Sequence, residues 1–153
     1  MVCSNIHRIL IIILFLTSSM ACKKAAHEGN IGVEDKIKYR QYMANGQKLY
    51  LIHCGNCHQD DGTGLSRLYP PLKDSDFLRE DLQRALCIIR YGMKGEIIVN
   101  NVSYNMDMPE NPELTNLEFA EISTYVLSTF ADQPMLITPD RIEKLESGCG
   151  QAK

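Results

Sequence analysis

The chain predicts an all-α fold, a few helices with one small β-hairpin, and three observations carry that reading. Apolar residues recur at three- and four-residue spacing around Tyr39 to Tyr50, Leu82 to Ile89 and Phe119 to Phe130, the period of a helix with one buried face. Helix-opening chemistry stands where it is needed: Thr115-Asn116-Leu117-Glu118 is a capping box, and Thr138-Pro139 supplies a cap and a first helical position. Only Glu96 to Tyr104 carries a strand signal, with Asn100-Asn101 tolerating the positive φ of a tight turn. At 153 residues, 44% hydrophobic and 23% charged, the chain suits a single soluble domain.

The N-terminus is read as a targeting segment. Met1 to Arg8 is a short polar lead, and Ile9 to Leu16 is an apolar run too short to span a bilayer comfortably, so residues 1–21 are expected to be a removed signal peptide. Ser18-Ser19-Met20-Ala21 before Cys22 resembles a bacterial lipobox, which implies a lipid-modified Cys22 as the mature N-terminus, anchored by acyl chains. Conventional cleavage with Cys22 free is the alternative; an uncleaved anchor helix is disfavoured by Lys23 and Lys24. Cleavage removes one base, Arg8, and no acid, so the formal charge moves from −3 to −4. That sign, with no Lys/Arg cluster, disfavours nucleic acid as a partner. An exported protein meets an oxidising compartment, where unpaired thiols are uncommon.

Residues 22–36 lack apolar periodicity and read as a lipidated Cys followed by a flexible tether, with a root-mean-square reach of roughly 20 Å. A compact domain is expected over 37–131. Its first helix spans about Ile37 to Ile52, with Gly46 in the interior at a cost of about 1 kcal/mol relative to Ala, which a close helix-helix contact would offset. Gln59 to Gly64 is a loop by composition, and Pro70-Pro71 stiffens an extended segment. A short amphipathic helix covers about Glu80 to Tyr91 and stops at Gly92; the hairpin follows, then an irregular loop from Asn105 to Glu113. The capped helix carries Phe119, Ile122, Val126 and Phe130 on one side, and residues 132–153 form a tail with one or two helical turns.

Cys54-Gly55-Asn56-Cys57-His58 is the stretch with chemistry in it. Two thiols separated by two residues can each add to one vinyl group of a haem, and the next imidazole is carried under the ring to the iron. A carbonyl of Pro70 or Pro71, left without a helical partner, could accept from that imidazole and fix its tautomer. A second axial ligand is then required. His7 and His27 lie before the domain and His53 abuts the motif, so methionine thioether is the better choice, with Met93, Met106 and Met108 open as candidates. Zinc or a thioredoxin-like centre is the plainer account of two such cysteines; zinc would draw on the scattered Cys87, Cys149 and His53, and a thioredoxin would need strands before the motif. Cys87 has two readings, a small buried apolar residue or a disulfide to Cys149 pinning the tail.

Gly46-x-x-Leu49-Tyr50, Cys54-x-x-Cys57-His58, Gly62-x-Gly64, Pro70-Pro71-Leu72, and Met108-Pro109 ahead of a capped helix with Tyr125-Val126 fall in an order that resembles the class I cytochromes c, over about Tyr39 to Phe130. The resemblance implies a cytochrome c fold around one haem c held by Cys54 and Cys57, with His58 and Met108 as iron ligands. It also implies a proline carbonyl behind His58, at Pro70 or Pro71, with Pro71 taken as cofactor-binding, and a packing of Gly46 and Tyr50 against the helix bearing Tyr125. Leu65, Leu68, Leu72, Leu82, Leu86, Val102, Phe119 and Val126 are expected to keep the pocket dry. The expected function is single-electron transfer on the periplasmic side of a bacterial envelope, lipid-anchored to a membrane, with no bond-making chemistry of its own and with an oxidase, reductase or dehydrogenase as partner. The alternatives are an electron-relay subunit of a dehydrogenase, nitrite reductase or terminal oxidase, and a gas-binding or peroxidatic haem with an open sixth site.

Overall fold

The computed structural model describes residues 33–149. The signal segment, Cys22 and the tether as far as Gly32 lie outside the described residues. These contain six helices and one two-stranded antiparallel sheet, and no helix among them is long and apolar enough to cross a membrane.

Helix α1 spans Val33–His53 and so starts four residues before the expected Ile37, inside the stretch assigned to the tether. Glu34 and Asp35 occupy its first turn, where carboxylates complement the positive end of the helix dipole. Helix α2 (Gly55–His58) is a single turn. Helix α3 (Asp76–Glu80) was not foreseen; the Ser75 side chain accepts from Leu78 N, a local cap that substitutes for apolar periodicity. Helix α4 (Leu82–Tyr91) opens on Asp81 and closes at Gly92, whose φ of +69° favours glycine. Strands β1 (Ile97–Val99) and β2 (Val102–Tyr104) pair Ile97 with Tyr104 and Val99 with Val102 around Asn100 and Asn101, both at positive φ as expected. Reciprocal bonds between Asp76 and Asn100 fasten this hairpin to α3.

Helix α5 (Asn116–Phe130) is the centre of the domain, buried from Phe119 to Leu127 and again at Phe130. The capping box is formed: Thr115 Oγ1 accepts from Glu118 N, and Glu118 Oε2 accepts from Thr115 N at 2.9 Å. Those bonds hold the Glu118 carboxyl below its usual range, so its contribution is present above the ordinary glutamate pKa and fades as pH falls through its lowered value. Thr115→Ala should cost about 1 kcal/mol in denaturant unfolding at neutral pH. The deficit should shrink in acid, and an equal deficit at all pH values would count against the cap.

Helix α1 crosses α5 at Gly46. A Cβ there would lie 2.1 Å from the Glu121 carbonyl oxygen and 2.8 Å from Tyr125 Cβ, so only glycine permits this approach. Beside it Asn45 Nδ2 donates to the buried Glu121 carboxylate at 2.8 Å. The rings of Tyr50, Tyr125 and Phe130 meet at centroid distances of 5.2 to 5.8 Å, favourable aromatic spacings, and extend the contact toward α2.

The tail set apart at residue 132 packs into the same core. Ile137 and Ile142 are fully buried, Ile137 N donates to Thr124 Oγ1 at 3.0 Å, and helix α6 (Pro139–Glu146) lies against α4 and α5. Cys87 is disulfide-bonded to Cys149, deciding between the two readings of Cys87.

Candidate functional site

Helix α1 delivers the chain into the site. Cys54 N donates to Tyr50 O at 2.8 Å and His58 N to Cys54 O at 2.9 Å, so Cys54 and Cys57 stand one helical turn apart with His58 next. The turn ends at Gln59, at a positive φ of 63°, and Tyr50 Oη donates to its carbonyl at 2.6 Å. Burial is the main reason that the Tyr50 hydroxyl is pushed far up, so it remains a donor.

His58 is only 7% exposed, and its Nδ1 lies 3.0 Å from Pro70 O. A carbonyl can only accept, so Nδ1 carries the proton and Nε2 keeps its lone pair for a metal. Burial lowers the pKa of His58, partly countered by the bond to Pro70, which favours the neutral imidazole that a metal needs. The accepting carbonyl is that of Pro70, and Pro71, expected to be cofactor-binding, lines the cavity beside it. The reason lies in the loop. Gly64 N donates to His58 O, and Leu72 N and Lys73 N both donate to Gly62 O, which folds 62–73 back over the imidazole at Pro70. At Gly64, with φ of +72°, a Cβ would come within 2.4 Å of Tyr69 O. Burial, with the Cys57 thiol second, pushes the Cys54 thiol up to about 12, so it is uncharged at neutral pH.

Cys54, Cys57, His58, Pro70 and Pro71 line an apolar cavity that opens to solvent. Met93, Met106 and Met108 line it too, so all three thioether candidates are brought to the site, whereas His53 does not line it. Met93 and Met108 are paired through the main chain, each N–H donating to the other's carbonyl at 2.9 Å. The walls correct the expected list. Leu72 and Val126 do line the cavity, but Leu65 and Leu68 are 43% and 50% exposed, Leu86 and Phe119 are buried in the core, and Leu82 and Val102 are off the cavity. Their places are taken by Leu78, Ala85, Ile88, Ile89, Ile97 and Val99. The Ala85-Ile88-Ile89 stripe is helical in period and visible in sequence; which apolar stripe of α4 faces the cavity depends on how α4 is docked.

The residues fit a haem. An apolar cavity open to solvent presents two thiols one turn apart, a neutral imidazole with a free Nε2, and thioethers. Zinc is served less well: Cys87 and Cys149 are bonded to each other, and no cluster of three or more His, Cys, Asp or Glu placed to hold a metal occurs among the described residues. The sequence profile of the family described as cytochrome c matches residues 43–130, more than half of the chain. The chain belongs to the cytochrome c family.

Its similarity to cytochrome c-552 of Thermus thermophilus is 26% identity over 114 residues, covering 69% of this chain and 86% of the relative. The cytochrome c subunit of a quinone alcohol dehydrogenase from Gluconobacter oxydans is 35% identical over 48 residues, 31% of this chain and 10% of that subunit. As a cytochrome c the chain carries covalent haem c through Cys54 and Cys57 and serves electron transfer. The family match ends at Phe130, so the tail with Cys149 lies beyond it, while the disulfide partner Cys87 lies within it.

Proposed function

We propose that this cytochrome c carries single electrons between proteins with its iron held by His58 and Met108, and that it does so on the periplasmic side of a bacterial membrane, tethered through an acylated Cys22. The observation that supports the ligand assignment is the pairing of Met108 with Met93, which fixes the Met108 main chain beside the cavity that His58 also lines with Nε2 free. Met108 is partly buried, whereas Met106 is 47% exposed, so Met108 is the better shielded of the two. Haem c supplies a one-electron iron couple. The protein's part is to hold the imidazole by Pro70, to keep water from the porphyrin faces with Leu78, Ile89, Val99 and Val126, and to leave the cavity mouth open for transient contact with a partner.

A second reading, an electron-relay subunit of a larger oxidoreductase, is favoured by the similarity to the dehydrogenase cytochrome subunit. Stable co-purification with a catalytic chain would support it.

The full chain expressed in a bacterium with c-type maturation is expected in the membrane fraction, with haem that survives denaturing electrophoresis. Cys22→Ala should move the haem-bearing protein to the soluble fraction, and Cys54→Ser with Cys57→Ser should lose covalent haem. An unchanged membrane association of Cys22→Ala would refute the acyl anchor.

A further inference from the structure

The segment around Met108 is built on the last turn of α4. Asn111 N donates to Arg90 O at 3.0 Å, Asn111 Nδ2 donates to Ile89 O at 2.7 Å, and the Met93–Met108 pair continues the seam just beyond Gly92. At Gly92 a Cβ would lie 2.4 Å from Met108 O, so the two strands of chain are pressed together. The same turn of α4 is also gripped by the C-terminal segment. Arg90, with a side chain only 16% exposed, places Nε 3.0 Å from Glu146 Oε1 on α6. That contact is not aligned as a hydrogen bond and acts as a shielded charge pair. The other guanidinium nitrogens donate to Leu114 O, at the end of the Met108 loop, and to Asn116 Oδ1 at 3.2 Å, while the group lies 5.3 Å from the Phe119 ring centroid. Three residues before Arg90, Cys87 is bonded to Cys149, three residues beyond Glu146.

We propose that Arg90 is a positioning residue for the sixth iron ligand and that the C-terminal segment, through Glu146 and the Cys87–Cys149 disulfide, holds Arg90 in that role. The inference rests on Met108 as the ligand. Arg90 spans α4, the start of α5, α6 and the end of the Met108 loop, so its removal frees the C-terminal end of that loop. The loop then opens from the iron more often. The last turn of α4 becomes the relay by which a tail outside the family match sets how firmly the distal position is closed.

The test is an imidazole titration of the ferric holoprotein. Imidazole competes with the thioether, and its apparent affinity scales with the fraction of molecules whose loop is open. Arg90→Met, which keeps a side chain over Phe119 but removes every donor, is expected to raise imidazole affinity about tenfold or more, with covalent haem content unchanged. Glu146→Gln and Cys149→Ser should each raise it by about threefold, and they carry the test should Arg90→Met not fold. In a Met108→Ala background Arg90→Met should add nothing, because the ligand it positions is gone. A merely structural Arg90 would lower the unfolding temperature and leave imidazole affinity where it was. That result in all three variants, or an undiminished Arg90→Met effect without Met108, overturns the proposal. A Met108→Ala protein with wild-type ferric spectra refutes the ligand assignment itself, and is read before any Arg90 variant is made.

Discussion

Met108→Ala is expected to abolish the methionine-to-iron charge-transfer band of the oxidised protein and to lower its reduction potential, while haem remains covalently bound. Thioether is a soft ligand that favours Fe(II), so losing it stabilises the ferric state. Axial ligands command a range of about 0.8 V in haem proteins, so a drop on the order of 0.1 V or more is the scale to look for by potentiometric titration. Retention of haem follows because Cys54 and Cys57 lie on a turn held by Tyr50 and Gln59, apart from the Met108 loop. Met93 and Met106 also line the cavity, so Met93→Ala and Met106→Ala are the controls, and both should keep the band. A band that survives Met108→Ala and vanishes in one of the controls would reassign the ligand.

Gly46→Val is expected to be the most damaging single substitution to stability, costing about 3 kcal/mol or more. In an open helical position, replacing Gly by Ala gains up to about 1 kcal/mol. Here the added carbon would meet the main-chain oxygen of Glu121, and main chain at the centre of α5 has little room to move. Relief requires α1 to lift from α5, which would break the Asn45–Glu121 bond and spread the Tyr50, Tyr125 and Phe130 cluster. Since α1 leads directly into Cys54, lower haem incorporation should accompany the lost stability. Denaturant unfolding of the holoprotein measures it, with Gly46→Ala as the milder member of the pair; a Gly46→Ala protein as stable as wild type would mean that the crossing is looser than the geometry states.

Much of the site is local and therefore legible. The spacing of Cys54, Cys57 and His58, the capping box at Thr115 and the Asn100-Asn101 turn each act within a few residues, and the structure forms each of them. Gly46 could also be picked out, because a glycine inside a helical pattern asks for a reason. Where the reading failed, the deciding contact was distant. Leu86 and Ile89 carry the same periodic signal, yet Ile89 lines the cavity and Leu86 does not, since the docking of α4 selects the stripe. Ser75 caps α3 too briefly to leave a period. Pro70 and Pro71 are equivalent on paper until the bonds to Gly62 fold the loop and set one carbonyl against His58.

The amino-acid sequence by itself determined that this chain binds haem covalently and places its imidazole beside the anchoring thiols, because those bonds depend on neighbours along the chain. The tertiary structure decided which distant segments meet around the cavity. It paired Met93 with Met108, joined Cys87 to Cys149 across 62 residues, and set Arg90 between the Met108 loop and Glu146. Such contacts are made by groups far apart in the chain, and only the packing of α4, α5 and α6 on one another brings them within bonding distance.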